Sequence, residues 1–224
     1  MEPSCAFDVP DGDLVSNVVA APAPAEYDGR TPMDAFESAL RLAYRVHRGQ
    51  LRKGTGVPYV AHILGVAAIA LEYGATESEA AAALLHDAAE DGGGEAMLAE
   101  IRAQFGDEVA DVVLGCSDRL VENPADRRPW LERKQAYVAH LGDASAGVCL
   151  VSAADKLHNV RAIARDYREH GEAVWARFQG GRDGTLWYYE AVSSALWRRW
   201  PAPLTEDLSQ EVAALLRAAG GGAA

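Results

Sequence analysis

The segment His86-Asp87-Ala88-Ala89-Glu90-Asp91 places an imidazole and three carboxylates within six residues. On a helix, adjacent residues point about 100° apart, yet His86 and Asp87 can both reach one ion lying beside the helix. Glu90 follows His86 by four residues and Asp87 by three, so it returns to the same face about one turn later. That supplies two metal ligands and a carboxylate beside whatever the metal holds. A lone His-Asp pair is common in proteins, so the reading depends on further partners. One candidate lies in Ala153-Ala154-Asp155-Lys156-Leu157-His158-Asn159, where the apolar run Val148 to Val151 leads to Asp155. A buried lone carboxylate is costly and requires a cation, either a metal or Lys156. Asn159 stands one helical turn beyond Asp155 and reaches toward the same place. A third segment, Gln50-Leu51-Arg52-Lys53-Gly54-Thr55-Gly56-Val57-Pro58-Tyr59-Val60-Ala61-His62, brings two cations into a glycine-containing loop just before a histidine. Backbone N–H groups, arginine and lysine together suit phosphate. By themselves the loop fits a solvated connection equally well, and His62 fits a satisfied core histidine.

These residues need elements to hold them, and the pattern is helical throughout. Thr31-Pro32-Met33-Asp34 reads as a helix start, with apolar residues at 36, 39, 40, 43, 44 and 46 continuing to His47. A connection from Gly49 to Pro58 precedes a helix over 59–73, which Gly74 stops. Thr76 and Glu79 form a capping box for a third helix running through His86-Asp87 until Gly92-Gly93-Gly94 ends it. Further helical patterns cover 95–105, 107–120, 127–141, 144–168 and 184–199, with a weaker one at 206–218. No alternating strand or internal repeat is evident, so the expected fold is all-α and single-domain. Residues 1–29, rich in Ala, Pro, Asp and Gly, read as a flexible N-terminal arm. Residues 30–203 form the domain, and 204–224 a C-terminal helix with a Gly/Ala tail. Leu186, Tyr189, Val192, Leu196 and Trp200 follow helical spacing, which favours a core or a homo-oligomer seam over base stacking.

Composition narrows the function class. The 224 residues are 49% hydrophobic and 24% charged, ordinary for a globular chain. No apolar run approaches the roughly 20 residues needed to span a bilayer, and Met1 to Pro10 carry no basic, apolar-cored signal; a cytoplasmic protein without membrane partners is expected. The three cysteines, Cys5, Cys116 and Cys149, form no CxxC pair, so no disulfide framework or zinc ribbon is readable, and Cys149 suits a buried position. A net charge of −12 argues against nucleic-acid partners and requires a local basic pocket for any anionic substrate. Only three of the 21 basic residues are lysine, namely Lys53, Lys134 and Lys156. All three fall in the segments that carry the chemistry, where a compact ammonium suits phosphate.

The order of these segments resembles the hydrolase domain of the Rel/SpoT alarmone enzymes, and especially the stand-alone small alarmone hydrolases of the HD superfamily. The resemblance rests on His47-Arg48-Gly49-Gln50-Leu51-Arg52-Lys53 through Gly56-Val57-Pro58-Tyr59-Val60-Ala61-His62, on His86 to Asp91, and on Ala154 to Asn159, and it covers roughly residues 33 to 200. It implies an HD-type helical bundle in which His62, His86, Asp87 and Asp155 bind one divalent ion, usually Mn2+. The mixed imidazole and carboxylate set independently suits Mn, Fe, Co or Zn better than Ca or Mg. By the same resemblance Glu90 and Asp91 are the catalytic pair that positions the attacking water. Arg52, Lys53, Lys134, Lys156 and Asn159 face the nucleotide substrate, and His47 orders the loop. The implied reaction removes the 3′-pyrophosphate of (p)ppGpp. No synthetase-like segment follows, so hydrolysis alone is expected.

Three departures stand apart from the ion. Gly92 replaces the family's usual Thr, Ala162 replaces a Thr of the long enzymes, and the Gly54-Thr55-Gly56 loop is one residue longer than theirs. All three bear on substrate choice. They keep open an HD phosphohydrolase for (p)ppApp, a 3′-phosphonucleotide or NADPH. A non-catalytic nucleotide-sensing module is the remaining alternative, against which the retained ligand set and Glu90/Asp91 argue.

Overall fold

Four consecutive alanines, Ala80 to Ala83, followed by Leu84 and Leu85 give a helix that is apolar on every side, and such a helix belongs at the centre of a bundle. In the computed structural model, which describes residues 34–118 and 128–220, all six are fully buried. This helix, α3 (Glu77–Leu85), packs against α1 (Asp34–His47), α2 (Val60–Glu72), α5 (Glu95–Cys116) and α7 (Ala146–His170). Small side chains let four neighbours approach one axis closely. The capping box at Thr76 and Glu79 forms in both directions, and Glu77 also accepts a hydrogen bond from the Ala35 backbone N–H, tying α3 to the start of α1. The described residues form one all-α domain. Their sole extended pairing is an isolated antiparallel bridge between Leu51 and Pro58.

The α1–α2 connection is a small closed loop. Arg52 N–H donates to Val57 O and Tyr59 N–H to Gln50 O. Gly54 at its tip has φ +71°, a left-handed conformation that favours glycine. The third helix stops at Leu85, not at Gly92 as the pattern suggests. His86 and Asp87 form a break, and α4 (Ala88–Gly92) is a separate short helix. The expected helices over 95–105 and 107–120 are instead α5, kinked at Gly106, where φ is 87°. Helices α6 (Trp130–His140), α8 (Gly181–Arg199) and α9 (Pro203–Gly220) complete the bundle, with 3₁₀ turns at Leu141–Asp143 and Gly171–Arg177. The second of these turns lies in a stretch where no periodicity is legible. The arm over 1–29 and the helix start at Thr31-Pro32 lie outside the described residues.

Helix α9 packs on α7 and α8, burying Leu204, Leu208, Val212 and Leu215, and Asp207 accepts a hydrogen bond from the Tyr73 hydroxyl at the end of α2. Leu186, Tyr189, Val192 and Leu196 of α8 are all buried, as core positions. Cys149 is likewise buried. No helix among the described residues is long and apolar enough to cross a membrane.

Helix α5 meets α7 through Gly115, where an added Cβ would lie 2.5 Å from Val148 Cγ2. Gly115→Ala is therefore expected to destabilise by about 1–3 kcal/mol through overpacking. Gly142→Ala, with nothing within 4 Å of the new atom, is expected to change stability by less than about 0.5 kcal/mol. Urea unfolding midpoints of the two variants check the contrast.

Candidate metal centre and active site

Where α2, the α3–α4 break and α7 meet, four donor atoms close a ring. His62 Nε2 lies 3.6 Å from Asp87 Oδ2, which lies 3.0 Å from His86 Nε2. Asp155 Oδ1 lies 3.8 Å from His86 Nε2 and 3.3 Å from His62 Nε2. Separations of about 3 to 3.5 Å between neighbouring ligands follow from metal–ligand bonds of about 2.0–2.2 Å. The donor atoms of His62, His86 and Asp87 all lie within 4.8 Å of one another. His86 Nε2 is buried without a hydrogen-bond partner, being close to Asp87 but not aligned with it. An orphaned imidazole nitrogen inside a ring of carboxylates fits a divalent ion, and the sequence-predicted ligands are the residues brought together here.

The two imidazoles are set for this arrangement by partners on their far sides. His86 Nδ1 lies 2.7 Å from the Ala83 carbonyl, to which it can only donate, leaving the Nε2 lone pair facing the ring. His62 Nδ1 lies 3.0 Å from His158 Nδ1. Burial, followed by the neighbouring His62 and Arg52, lowers the pKa of His158 to about 4, so it is neutral at neutral pH and accepts from His62 when its own proton sits on Nε2. With that tautomer pair the lone pair of His62 Nε2 also faces the ring. Tyr59 donates its hydroxyl to Asp87 Oδ2. Burial and the Asp87 charge push its ionisation far above the ordinary tyrosine range, so it stays a donor.

Asp155 is 7% exposed and is held by three kinds of partner. Lys156 Nζ bonds Oδ2, Asn159 Nδ2 donates to Oδ1 at 2.6 Å, and the two imidazoles face Oδ1. Burial alone would raise its pKa, but Lys156, His62 and His86 overcome that and keep it ionised. Both cation sources open from the sequence, lysine and metal site, thus meet at one carboxylate. Lys156 is itself buried beneath the Tyr137 and Tyr188 rings.

Glu90, three residues after Asp87, lines a cavity of about 280 Å³ together with Lys53, Arg133, Lys134, Trp130 and Tyr188. Glu90 Oε1 accepts the backbone N–H of Asp118 at 2.7 Å. Asp118 in turn binds Arg133 and Lys134. Asp91 Oδ2 accepts from Gln50 Nε2 at 2.8 Å, and Gln50 Oε1 lies 2.8 Å from His47 Nδ1. His47 thus orders the loop from outside the ring. Arg52 donates to Asn159 Oδ1 at 2.7 Å, and both line a second, smaller cavity that also includes Lys53, Ala162, Arg177 and Tyr189. Of the three departures, Ala162 and Thr55 of the lengthened loop border this cavity. Gly92 instead packs toward Val46 and Met97. Sequence reasoning passed over Tyr59 and His158, which stand inside its motifs, and Asp118 and Arg133, which stand outside them.

Two outcomes follow from this geometry. Burial lowers the pKa of His86, but Asp87 and Asp155 outweigh it and push it up to about 9 in protein stripped of metal. Coordination requires a neutral imidazole, so metal binding below that pH expels a proton. Apparent metal affinity is expected to fall about tenfold per pH unit below 9 and to level off above it, checked by chelator competition across pH. Separately, a Cβ at Gly65 would lie 2.3 Å from His158 Cδ2. Gly65→Ala is expected to displace that ring and weaken metal binding by roughly 10- to 100-fold, with circular dichroism verifying the fold; unchanged affinity would refute the tautomer lock.

Comparison with known proteins agrees with this geometry. The family model described as HD domain matches residues 39–186. A guanosine-3′,5′-bis(diphosphate) 3′-pyrophosphohydrolase of Homo sapiens is 41% identical over 132 residues, which are 57% of this chain and 68% of that protein. A GTP pyrophosphokinase of Myxococcus xanthus is 32% identical over 194 residues, 84% of this chain but only 24% of that longer protein. Among solved structures, a metazoan ortholog of SpoT that hydrolyses ppGpp superposes with a TM-score of 0.66 at 27% identity, covering 85% of this chain and 98% of the other. A protein of Listeria monocytogenes EGD-e superposes with a TM-score of 0.60 at 31% identity, covering 70% and 99%. With a helical bundle that presents the ring of histidines and aspartates from α2, the α3–α4 break and α7, and a family match spanning most of the described domain, the chain belongs to the HD domain family of metal-dependent hydrolases.

Proposed function

We propose that this protein hydrolyses the 3′-pyrophosphate of (p)ppGpp-like nucleotides, releasing pyrophosphate. The observation that carries the reading is the closed ring of His62, His86, Asp87 and Asp155, with Glu90, three residues after Asp87, lining a cavity that Lys53, Arg133 and Lys134 also wall. The similarity to the human 3′-pyrophosphohydrolase and to the metazoan SpoT ortholog supports the substrate class.

The four ring residues would hold one divalent ion, which we assign as Mn2+ from the family resemblance; the mixed imidazole and carboxylate donors suit Mn, Fe, Co or Zn. When bound, that ion supplies Lewis acidity to a phosphoryl oxygen and lowers the pKa of water. The chain's own residues do the rest. Glu90, fixed by the Asp118 amide, takes a proton from the attacking water, and Asp91, fixed by Gln50, orients it. Water oxygen bonds to the phosphorus on the ribose 3′ oxygen, the P–O3′ bond breaks, and the 3′ oxygen leaves as a hydroxyl, taking up a proton that balances the one that Glu90 removed from water and then releases to solvent. Lys53, Lys134 and Arg133 bear the charge of the pyrophosphoryl group as it passes to water. Arg52 and Asn159, already bonded to each other, flank the nucleoside in the second cavity. Lys156, committed to Asp155, acts on the substrate through that ligand.

Mn-loaded protein offered ppGpp, ppApp and NADPH is expected to convert ppGpp to GDP and pyrophosphate. Release of orthophosphate with ppGpp left intact would sink the reading. Glu90→Gln is expected to lower kcat by roughly 10²- to 10⁴-fold while bound metal, measured by elemental analysis, stays at the wild-type level.

A further inference from the structure

Asp118 stands just past the C-terminal end of α5, outside every motif that marks the site. It nevertheless touches three groups that flank the larger cavity. Oδ1 accepts from Arg133 Nη1 at 2.6 Å, and Oδ2 accepts from Lys134 Nζ at 2.5 Å. The Asp118 backbone N–H donates to Glu90 Oε1 at 2.7 Å. Its side chain is 8% exposed, as buried as that of Arg133 at 9%. Lys134 is fixed a second time, 4.6 Å above the centre of the Tyr188 ring.

We propose that Asp118 is a positioning residue for hydrolysis, holding the two cations that meet the pyrophosphoryl group under attack and the carboxylate that meets the attacking water. This rests on the functional reading above, because Asp118 acts through Glu90, Arg133 and Lys134. Without a counter-charge, a lysine and an arginine so near each other repel and swing toward solvent. The carboxylate between them holds both nitrogens at the cavity wall before substrate arrives, so no reorganisation is needed during the reaction. The same carboxylate has a cost. It occupies donors that an incoming phosphate oxygen would use, and so competes with the anion it prepares the site to receive. Glu90 is tied to the backbone of Asp118 and not to its side chain, so a side-chain replacement alters the cations directly and Glu90 only through the local backbone.

Asp118→Asn keeps the shape and the backbone N–H but removes the charge. Its kcat for ppGpp, per folded molecule, is expected to fall roughly 10- to 100-fold, the range for loss of a supporting partner. Inorganic pyrophosphate, titrated calorimetrically, is expected to bind severalfold more tightly because the internal competitor is gone. A merely structural residue would weaken both together, along with the melting temperature. Wild-type kcat in Asp118→Asn, or weaker pyrophosphate binding, overturns the proposal. Should that variant not fold, Asp118→Glu keeps the charge and shifts the cations by one methylene; a lowered kcat with unchanged melting temperature supports the role, and a wild-type kcat overturns it. Wild-type protein that leaves ppGpp intact while Asp118→Asn still tightens pyrophosphate would remove the functional reading and leave the cation clamp standing.

Discussion

An ionised carboxylate in the middle of a buried helix costs several kcal/mol unless charge and hydrogen bonds surround it, and Asp155 is such a group. The preceding turn of α7, with Val148, Cys149, Leu150 and Val151, is packed into the core, so Asp155, 7% exposed, has little contact with water. Its compensation determines much of what lies around it. Lys156 gives up its ammonium to it, Asn159 turns its amide back one helical turn, and α2 and the end of α3 must bring His62 and His86 within reach. A metal ion held at the ring would complete that compensation and would also supply Lewis acidity.

The alanine-rich helix α3 makes this meeting of elements sterically feasible. With Ala80 to Ala83 fully buried, α1, α2, α5 and α7 all approach one axis, and α3 then breaks where its next two residues are His86 and Asp87. The break is the functional departure from regular structure. His86 and Asp87 stand at this break with right-handed helical backbones, and both side chains face the ring. The buried imidazoles are oriented in turn by Ala83 O and by His158, whose neutral ring lies against His62 Nδ1 and can accept its proton.

Charge is arranged on a second scale. A chain of net charge −12 must attract an anion, and it does so by concentrating Lys53, Arg133 and Lys134 at one cavity while Asp118 neutralises two of them locally. That device keeps the cations ordered inside an acidic molecule. It also links the end of α5 to α4 and α6, so the bundle, not one motif, forms the site.

The sequence alone determined the helical class, the capping box at Thr76 and Glu79, and the four ring residues, because each depends on local spacing or on motifs short enough to be read along the chain. It also announced Arg52, Lys53 and Asn159 as companions of that ring. The break after Leu85, the joining of two expected helices at Gly106 and the 3₁₀ turn at Gly171–Arg177 were decided by packing, which overrides local pattern where helices cross. Tertiary structure alone decided that Lys156 serves Asp155, that His158 locks His62, and that Asp118 gathers Glu90, Arg133 and Lys134. Those pairings join residues up to 96 positions apart, and one-dimensional spacing carries no record of which buried charge will find which partner once the chain closes on itself.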